Sequence, residues 1–336
     1  MSRHRFRASL KHLTQLLGWL YVSAIALWFG LRLIFFDQFW WLALLNTIAF
    51  YLFVPVVLLL PLGLWLRLRG LLLGLSLPIA LFVGLFGPLF LPSGTVPDST
   101  SQPGFKVMSF NLLWSNEDYA QIAQSIRSAD PDIVGFQEVR PPNVGALTAA
   151  LPDYPYSVFH QSDNSHTVGL VSRLPIAATE PFPNPPFERG LRTVMDLEGT
   201  PLSVIVAHLA PNNMPLLPLG EFVEQTKDRY ARRAAEVELL KQAVQTRDRP
   251  TVILCDCNMT DTSQTHAELR SVLTDSFQQV GWGWGHSLRV GGIPWPLQRV
   301  DYVWHTADLQ SVSAQVGDRG GSDHYPVVAT LRQQTS

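Results

Sequence analysis

The sequence predicts a membrane anchor of three transmembrane helices followed by a large α/β (α+β) sandwich. Two observations carry this. Three long uncharged apolar stretches fall within residues 1–91, and beyond residue 105 short β-rich runs alternate with helical ones. The 336 residues are 47% hydrophobic and 15% charged, well below the roughly 25% charge of soluble globular domains. That excludes disorder and argues against an ordinary cytosolic enzyme. The average conceals a split: residues 1–100 carry a net charge of +5 and the remainder −7.

A bilayer core of ~30 Å takes roughly 20 apolar residues in a helix. The stretches 13–31, 39–62 and 71–91 contain no Asp, Glu, Lys or Arg. Pro55 and Pro61 interrupt the second, and Trp19, Trp28, Trp40, Trp41 and Trp65 lie in or beside the stretches. The leader has Arg3, Arg5, Arg7 and Lys11 but no convincing small-x-small cleavage site, and two more spans follow, so the first stretch reads as a retained anchor rather than a signal peptide. By the positive-inside rule this leader stays in the cytoplasm, and Arg67 and Arg69 place the second connection there too. Three spans then make a multi-pass protein of the plasma (inner) membrane with its C-terminal domain extracytoplasmic; a re-entrant span would invert this. Residues 92–104 (PSGTVPDSTSQPG) read as a linker. The domain is expected over 105–333.

Strands are predicted at 105–110, 132–137, 167–172, 191–196, 202–208, 251–256, 299–304 and 325–331, and helices at 117–129, 143–151, 222–246 and 264–273. Many strands and few helices over about 230 residues favour a sandwich over repeated βαβ units. Cys255 and Cys257 are the only cysteines. Alternate residues of a strand hold their side chains roughly 6.5–7 Å apart, too far for a disulfide. Two free, buried thiols are expected, and not a zinc site, which would want four ligands.

Polar residues collect where the apolar strands stop. Asn111 closes KVMSFN, Glu138 closes DIVGFQE, His208 ends LSVIVAH, and Asp256 and Asn258 close TVILCDCN. Asp301 lies in RVDYVW, and Asp323 and His324 open the last strand in GSDHYPVV. A buried carboxylate is costly unless paired or metal-bound, so Glu138, Asp256, Asp301 and Asp323 suggest one shared cation site. Asp256 and Asn258, two apart, face one way and the cysteines the other. Adjacent Asp323 and His324 would point oppositely from a regular strand, so both are placed on the loop before it.

Taken in order, FKVMSFN, DIVGFQEVR, SVIVAHL, VILCDCN, RVDYVW and SDHYPV resemble the endonuclease/exonuclease/phosphatase superfamily, the deoxyribonuclease I-like fold, and in particular its membrane-anchored bacterial members. The resemblance covers about residues 105–331. It implies a four-layer α/β/β/α sandwich and Mg²⁺-dependent phosphoester hydrolysis, with Mn²⁺ as a substitute metal. It also implies roles. Glu138 resembles the principal metal ligand, with Asn111 and Asp323 as neighbours in the metal and phosphate site. Asp256 and Asn258 resemble the pair that orients water and phosphate, and Asp301 the partner that fixes the tautomer of His324. His208 resembles a phosphate contact, and Arg140 a substrate-binding arginine of the nuclease branch. The sequence departs from the usual Gly-Asp-Phe-Asn at Cys255-Asp256-Cys257-Asn258, which keeps the functional pair and changes the packing around it.

The implied chemistry needs a hard cation to neutralise phosphate charge, a base to take a proton from water and donors for the extra charge on the phosphorane. Asp256 is the expected base. Fold does not set substrate. The partners expected are the lipid bilayer and a phosphate-bearing substrate, with no obligate protein partner. The favoured reading is a membrane-anchored phosphoesterase acting on a lipid-linked or cell-envelope phosphate ester or anhydride. Its alternative is a membrane-anchored endo- or exonuclease for DNA or RNA; the net −7 disfavours broad polyanion binding. Two apolar segments, 214–219 (MPLLPL) and 281–295 with Trp282, Trp284 and Trp295, are candidates to dip toward lipid.

Overall fold

The structure, a computed structural model, describes residues 3–92, 104–161, 167–182, 187, 189–197, 199–211 and 218–334. Most of the expected linker 92–104 and most of the apolar segment 214–219 lie outside these residues. The chain divides into two compact units, one of Met1–Pro88 with Thr262–Gln264, the other of Leu89–Asp261 with Thr265–Ser336.

In the first unit the helices are α1 (Arg3–Phe35), α2 (Trp40–Thr47), α3 (Ala49–Leu52), α4 (Val54–Leu66) and α5 (Arg69–Phe86). Three stretches, Phe6–Phe35, Ala49–Leu66 and Arg69–Phe90, are long and apolar enough to cross a membrane. The second expected stretch is broken at Ile48 and Phe53, so its first turns form separate short helices. Glycine permits a close approach between α1 and α5: a Cβ on Gly18 would fall 2.5 Å from Leu71 Cδ1. Trp28 Nε1 donates to Asn46 Oδ1 (3.0 Å), and Asn46 Nδ2 donates to Asp37 Oδ1 (2.7 Å). Trp28, Asn46 and Asp37 thus find polar partners within the unit, as buried polar groups require. Within the same unit Arg32 Nη2 donates to Thr262 O (3.1 Å), and Gln264 N donates to Asp37 Oδ2 (2.6 Å).

The second unit holds two six-stranded mixed sheets. The strands are β1 (Phe105–Asn111), β2 (Ile133–Val139), β3 (Tyr156–Gln161), β4 (Thr167–Ser172), β5 (Ile176–Pro181), β6 (Gly190–Leu197), β7 (Thr200–His208), β8 (Thr251–Asp256), β9 (Thr274–Asp275), β10 (Asp301–His305), β11 (Leu309–Val316) and β12 (Val327–Gln333). The helices are α6 (Tyr119–Ala129), α7 (Val144–Ala149), α8 (Leu219–Gln245), α9 (Gln264–Arg270) and α10 (Ser276–Val280). One sheet runs β11-β12-β1-β2-β4-β3, the other β5-β6-β7-β8-β10-β9. A core between the sheets is built from inward residues of both, among them Val107, Ile133, Val206, Leu254 and Val303. Outside, α6 and α7 cover the first sheet through Ile122, Ile126 and Leu147, and α8 and α9 cover the second through Val237, Leu240 and Leu269. The result is the expected α/β/β/α sandwich. The sheets approach closely at Gly135, where a Cβ would meet Leu254 at 2.8 Å.

Each sheet has one parallel pair, β1 with β2 and β7 with β8, while the other pairings are antiparallel. The C-terminal ends of β1, β2, β7 and β8 therefore lie at the same edge as the N-terminal ends of β10 and β12. This places Asn111, Glu138, His208 and Asp256 at strand finishes beside Asp301 and His324 at strand starts. The structure adds β3, β5, β9, β11 and α10 to the expected elements.

The cysteines require a correction. Cys255 and Cys257 are disulfide-bonded, with Cα atoms 5.1 Å apart, rather than free. The expectation assumed an extended strand through Cys257, but β8 stops at Asp256 and Asn258 has φ +49°. The turning backbone shortens the separation into the range a disulfide spans. Both cysteines face the outer core beneath α8 and α9, as the alternation predicts.

Candidate active site

The register of the second sheet aligns three of the expected residues. His208 is opposite Asp256, and Asp256 is opposite Asp301. Asp256 and Asp301 are each 1% exposed. His324 enters from the loop before β12, with Nδ1 2.8 Å from Asp301 Oδ2 and Nε2 4.0 Å from Asp256 Oδ2. His208 Nε2 is 3.4 Å from Asp256 Oδ2 and 3.8 Å from Glu138 Oε1.

The other sheet reaches the same point through Asn111. Its Nδ2 donates to Asp256 Oδ2 (2.8 Å) and to Glu138 Oε1 (3.2 Å). Glu138 Oε2 accepts from Trp114 N (3.0 Å). Glu138 has φ +58° and sits where the β2–β4 pairing shifts between Phe136 and Val139. A left-handed, non-glycine residue at a bulge is strained, and the bulge turns its carboxylate out of the pleat.

The backbone around the site is held by small polar groups. Ser322 Oγ donates to Asn111 O (2.8 Å) and accepts from His324 N (3.0 Å), so β1 and the His324 loop are tied together. Ser287 Oγ accepts from Asp301 N (3.1 Å). Asn258 N donates to Asp256 Oδ1 (3.2 Å), and Asn258 Nδ2 donates to Leu209 O (3.1 Å). Asp323 lies beside His324, and its carbonyl accepts from Arg289 N (2.9 Å).

The electrostatics follow from burial and crowding. Burial pushes the Asp256 carboxyl up, and the neighbouring Asp301 pushes it further, against His324 and the Asn111 hydrogen bond. Burial opposes charge on His324, but the carboxylates of Asp301 and Asp256 outweigh it and raise the imidazole. Asp323 is also raised, first by burial. Asp301 Oδ1 is buried with no hydrogen-bond partner among the described residues.

These residues fit a divalent cation. Ligand atoms of Glu138, His208 and Asp256 lie within 4.8 Å of one another, as do those of Asp256, Asp301 and His324. Burial and neighbouring carboxylates raise the proton affinity of Asp256 and Asp323, an environment a hard cation relieves. Asn111 has a constraint the sequence does not show. Its Oδ1 accepts from Leu113 N (2.9 Å) while its nitrogen faces the carboxylates, so ligation through Oδ1 requires the amide to turn over.

Arg140 is placed differently from the cluster. Its Nη1 pairs with Glu117 Oε1 at 2.6 Å, half exposed, and its guanidinium lies 5.8 Å from the Trp114 ring centre. A third acidic group, Asp261, His266 and Asp275, holds Arg299, whose Nη2 is 2.6 Å from Asp275. Arg299 supplies the positive charge there.

Sequence reading missed three residues behind the site. Buried Arg189 sets Nη1 3.2 Å from His208 Nδ1 and donates through Nη2 to Leu209 O (3.2 Å). Arg233 of α8 donates to Asn258 O. Glu236 accepts from Ala210 N (2.7 Å), and burial pushes it up to about 7. The last two had a signal: both are charged and lie near Val237 and Leu240 on the apolar stripe of a helix. Arg189 had none.

The sequence matches the Endonuclease/Exonuclease/phosphatase family over residues 108–324, and the chain belongs to that family. It is a phosphoester hydrolase with an acidic and histidine-bearing group able to take a metal. Among solved structures it is similar to a mannosyl-6-phosphatase of Bacteroides thetaiotaomicron (18% identity, 68% of this chain and 99% of that one, TM-score 0.56). It is also similar to a humanized D. rerio TDP2 (16%, 68% and 99%, 0.55) and to the human Nocturnin catalytic domain (16%, 70% and 96%, 0.52). At these identities the likeness is one of fold. No curated protein matches the sequence.

Proposed function

We propose that the protein is a membrane-anchored, Mg²⁺-dependent phosphoesterase whose active domain lies outside the cytoplasm and acts on a phosphate ester or anhydride carried by lipid or the cell envelope. The observation that carries this is the meeting of Glu138, Asn111, His208, Asp256, Asp301 and His324 in a chain with three candidate membrane spans. The basic leader supports a cytoplasmic N-terminus. Arg32, in the last turn of the first span, and Asp37, just after it, bind Thr262 and Gln264, which follow the third span in sequence. A three-span topology puts both on one side of the membrane, as such bonds require.

Glu138 and Asp323 would hold the cation, with Asn111 if its amide turns. Mg²⁺, or Mn²⁺ in its place, supplies neutralisation of phosphate charge when bound. Asp256, buried and raised toward neutrality, takes the proton from the attacking water. His324, charged and oriented by Asp301, donates to a phosphoryl oxygen as negative charge builds there. His208 is held against Asp256 by Arg189 and contacts the same phosphate, with Asn258. The competing reading is a nuclease using Arg140 and Trp114. Neutralisation of Arg140 by Glu117 speaks against it.

The test is a parallel panel of DNA, RNA, phospholipids and polyprenyl pyrophosphate, with Mg²⁺ and with EDTA. Hydrolysis of a lipid-borne phosphate, lost in EDTA, is expected. Plasmid nicking as the only activity would overturn the lipid reading.

A further inference from the structure

The segment between α10 and β10, residues 281–300, exposes several large apolar side chains. Trp282 is 73% and Trp295 62% exposed, and Trp284, Val290 and Ile293 are exposed beside them. Scattered apolar residues on a surface need no explanation, but five large ones in one short segment do. The segment is also without a single Asp or Glu, in a domain otherwise in acidic excess, and carries Arg289.

The segment's backbone is bonded to residues of the active site. Arg289 N donates to Asp323 O (2.9 Å), Tyr325 N donates to Ser287 O (2.7 Å), and Leu288 bridges His324. These bonds hold the segment in one conformation and fasten it to the loop that carries His324.

Its near end rests on residues of its own compact unit that finish the third candidate span. Gly283 N donates to Leu89 O (3.0 Å). The Phe90 ring meets Trp282 and Trp284 edge-on, with centres 5.3 and 4.6 Å apart. Phe90 is the last residue of the span Arg69–Phe90. A span ends at headgroup level, and Trp is enriched there because its ring suits a layer apolar on one side and wet on the other.

We infer that residues 281–296 dock into the lipid headgroup layer of the bilayer that anchors the chain, and so hold the His324 loop beside that surface. The docking is independent of the bond cleaved. Its consequence, presentation of a lipid-borne phosphate to the site, rests on the function proposed above.

The test uses the full chain in nanodiscs of phosphatidylcholine and phosphatidylglycerol. An environment-sensitive fluorophore is placed by Trp295→Cys, with Glu224→Cys on α8 as a control, since the native cysteines are bonded and buried. Headgroup nitroxide lipid should quench the probe at 295 about threefold more than that at 224; equal quenching overturns the docking. A second variant guards against a labelling artefact. Trp282→Ser/Trp295→Ser should hydrolyse soluble bis(p-nitrophenyl) phosphate as the native chain does, but lose about tenfold on the lipid-borne substrate in the same discs. An equal loss on both, or none on either, counts against docking. If the native chain cleaves no lipid phosphate yet is quenched at 295, docking stands and the substrate reading fails.

Discussion

At the scale of single residues, His324 and Asp301 form the most constrained pair, 2.8 Å apart and buried. Asp301→Asn keeps the shape but no longer fixes the imidazole proton, so kcat on a soluble phosphodiester should fall by about 10²–10⁴-fold with KM little changed. An unchanged kcat would show that Asp301 is a structural acceptor. Glu236 gives a pH prediction. Its folded pKa, about 7, lies above the roughly 4.3 of an unfolded glutamate. The folded state therefore binds the extra proton between those values, and stability falls as pH rises through that window. Glu236→Gln keeps the acceptor for Ala210 N and removes the titration. Thermal melting of the solubilised chain should lose part of its decline between about pH 4.5 and 7; identical profiles would refute this. The chemistry of these residues was legible because strand-end Asn, Asp, Glu and His interrupt apolar runs. Arg189 was not, because a single Arg before a strand has no pattern, and only the three-dimensional return of β6 beside β7 sets it on His208.

Elements carry a second group of effects. Asp275 caps α10, accepting from Phe277 N and Gln278 N, and neutralises buried Arg299. Asp275→Asn retains a good cap but leaves a buried charge with a partner lost, and should destabilise the chain by about 3–5 kcal/mol. A loss below about 1 kcal/mol would mean that Asp261 suffices. The helices were placed well from sequence because α8 and α6 have long amphipathic repeats. The strands β3, β5 and β11 were missed. They lie at or near the sheet edges, where part-exposed polar side chains blur the alternation. The disulfide was misread for a related reason: an apolar run looks extended to its last residue, whereas the active-site edge makes it turn after Asp256. Denatured, unreduced protein should show no reactive thiol and reduced protein two; two thiols without reduction would contradict the bond.

For the whole molecule, two separate requirements meet in one chain. Each half of the sandwich supplies strand ends to a single edge, and the first unit carries helices long and apolar enough to cross a membrane. The 15% charged fraction of the whole chain describes neither part. A reporter fused after Ser336 should be active only outside the cytoplasm; a cytoplasmic signal would overturn the orientation. The central claim is that this buried cluster cleaves phosphoesters with a divalent cation held at Glu138. It is tested most directly by measuring hydrolysis of bis(p-nitrophenyl) phosphate by the full purified chain and by Glu138→Gln across a Mg²⁺ titration. Activity in the native chain that saturates with Mg²⁺, and is lost by at least about a hundredfold in the variant, is the predicted result. Equal activity in both proteins, or activity indifferent to Mg²⁺ and EDTA, would contradict it.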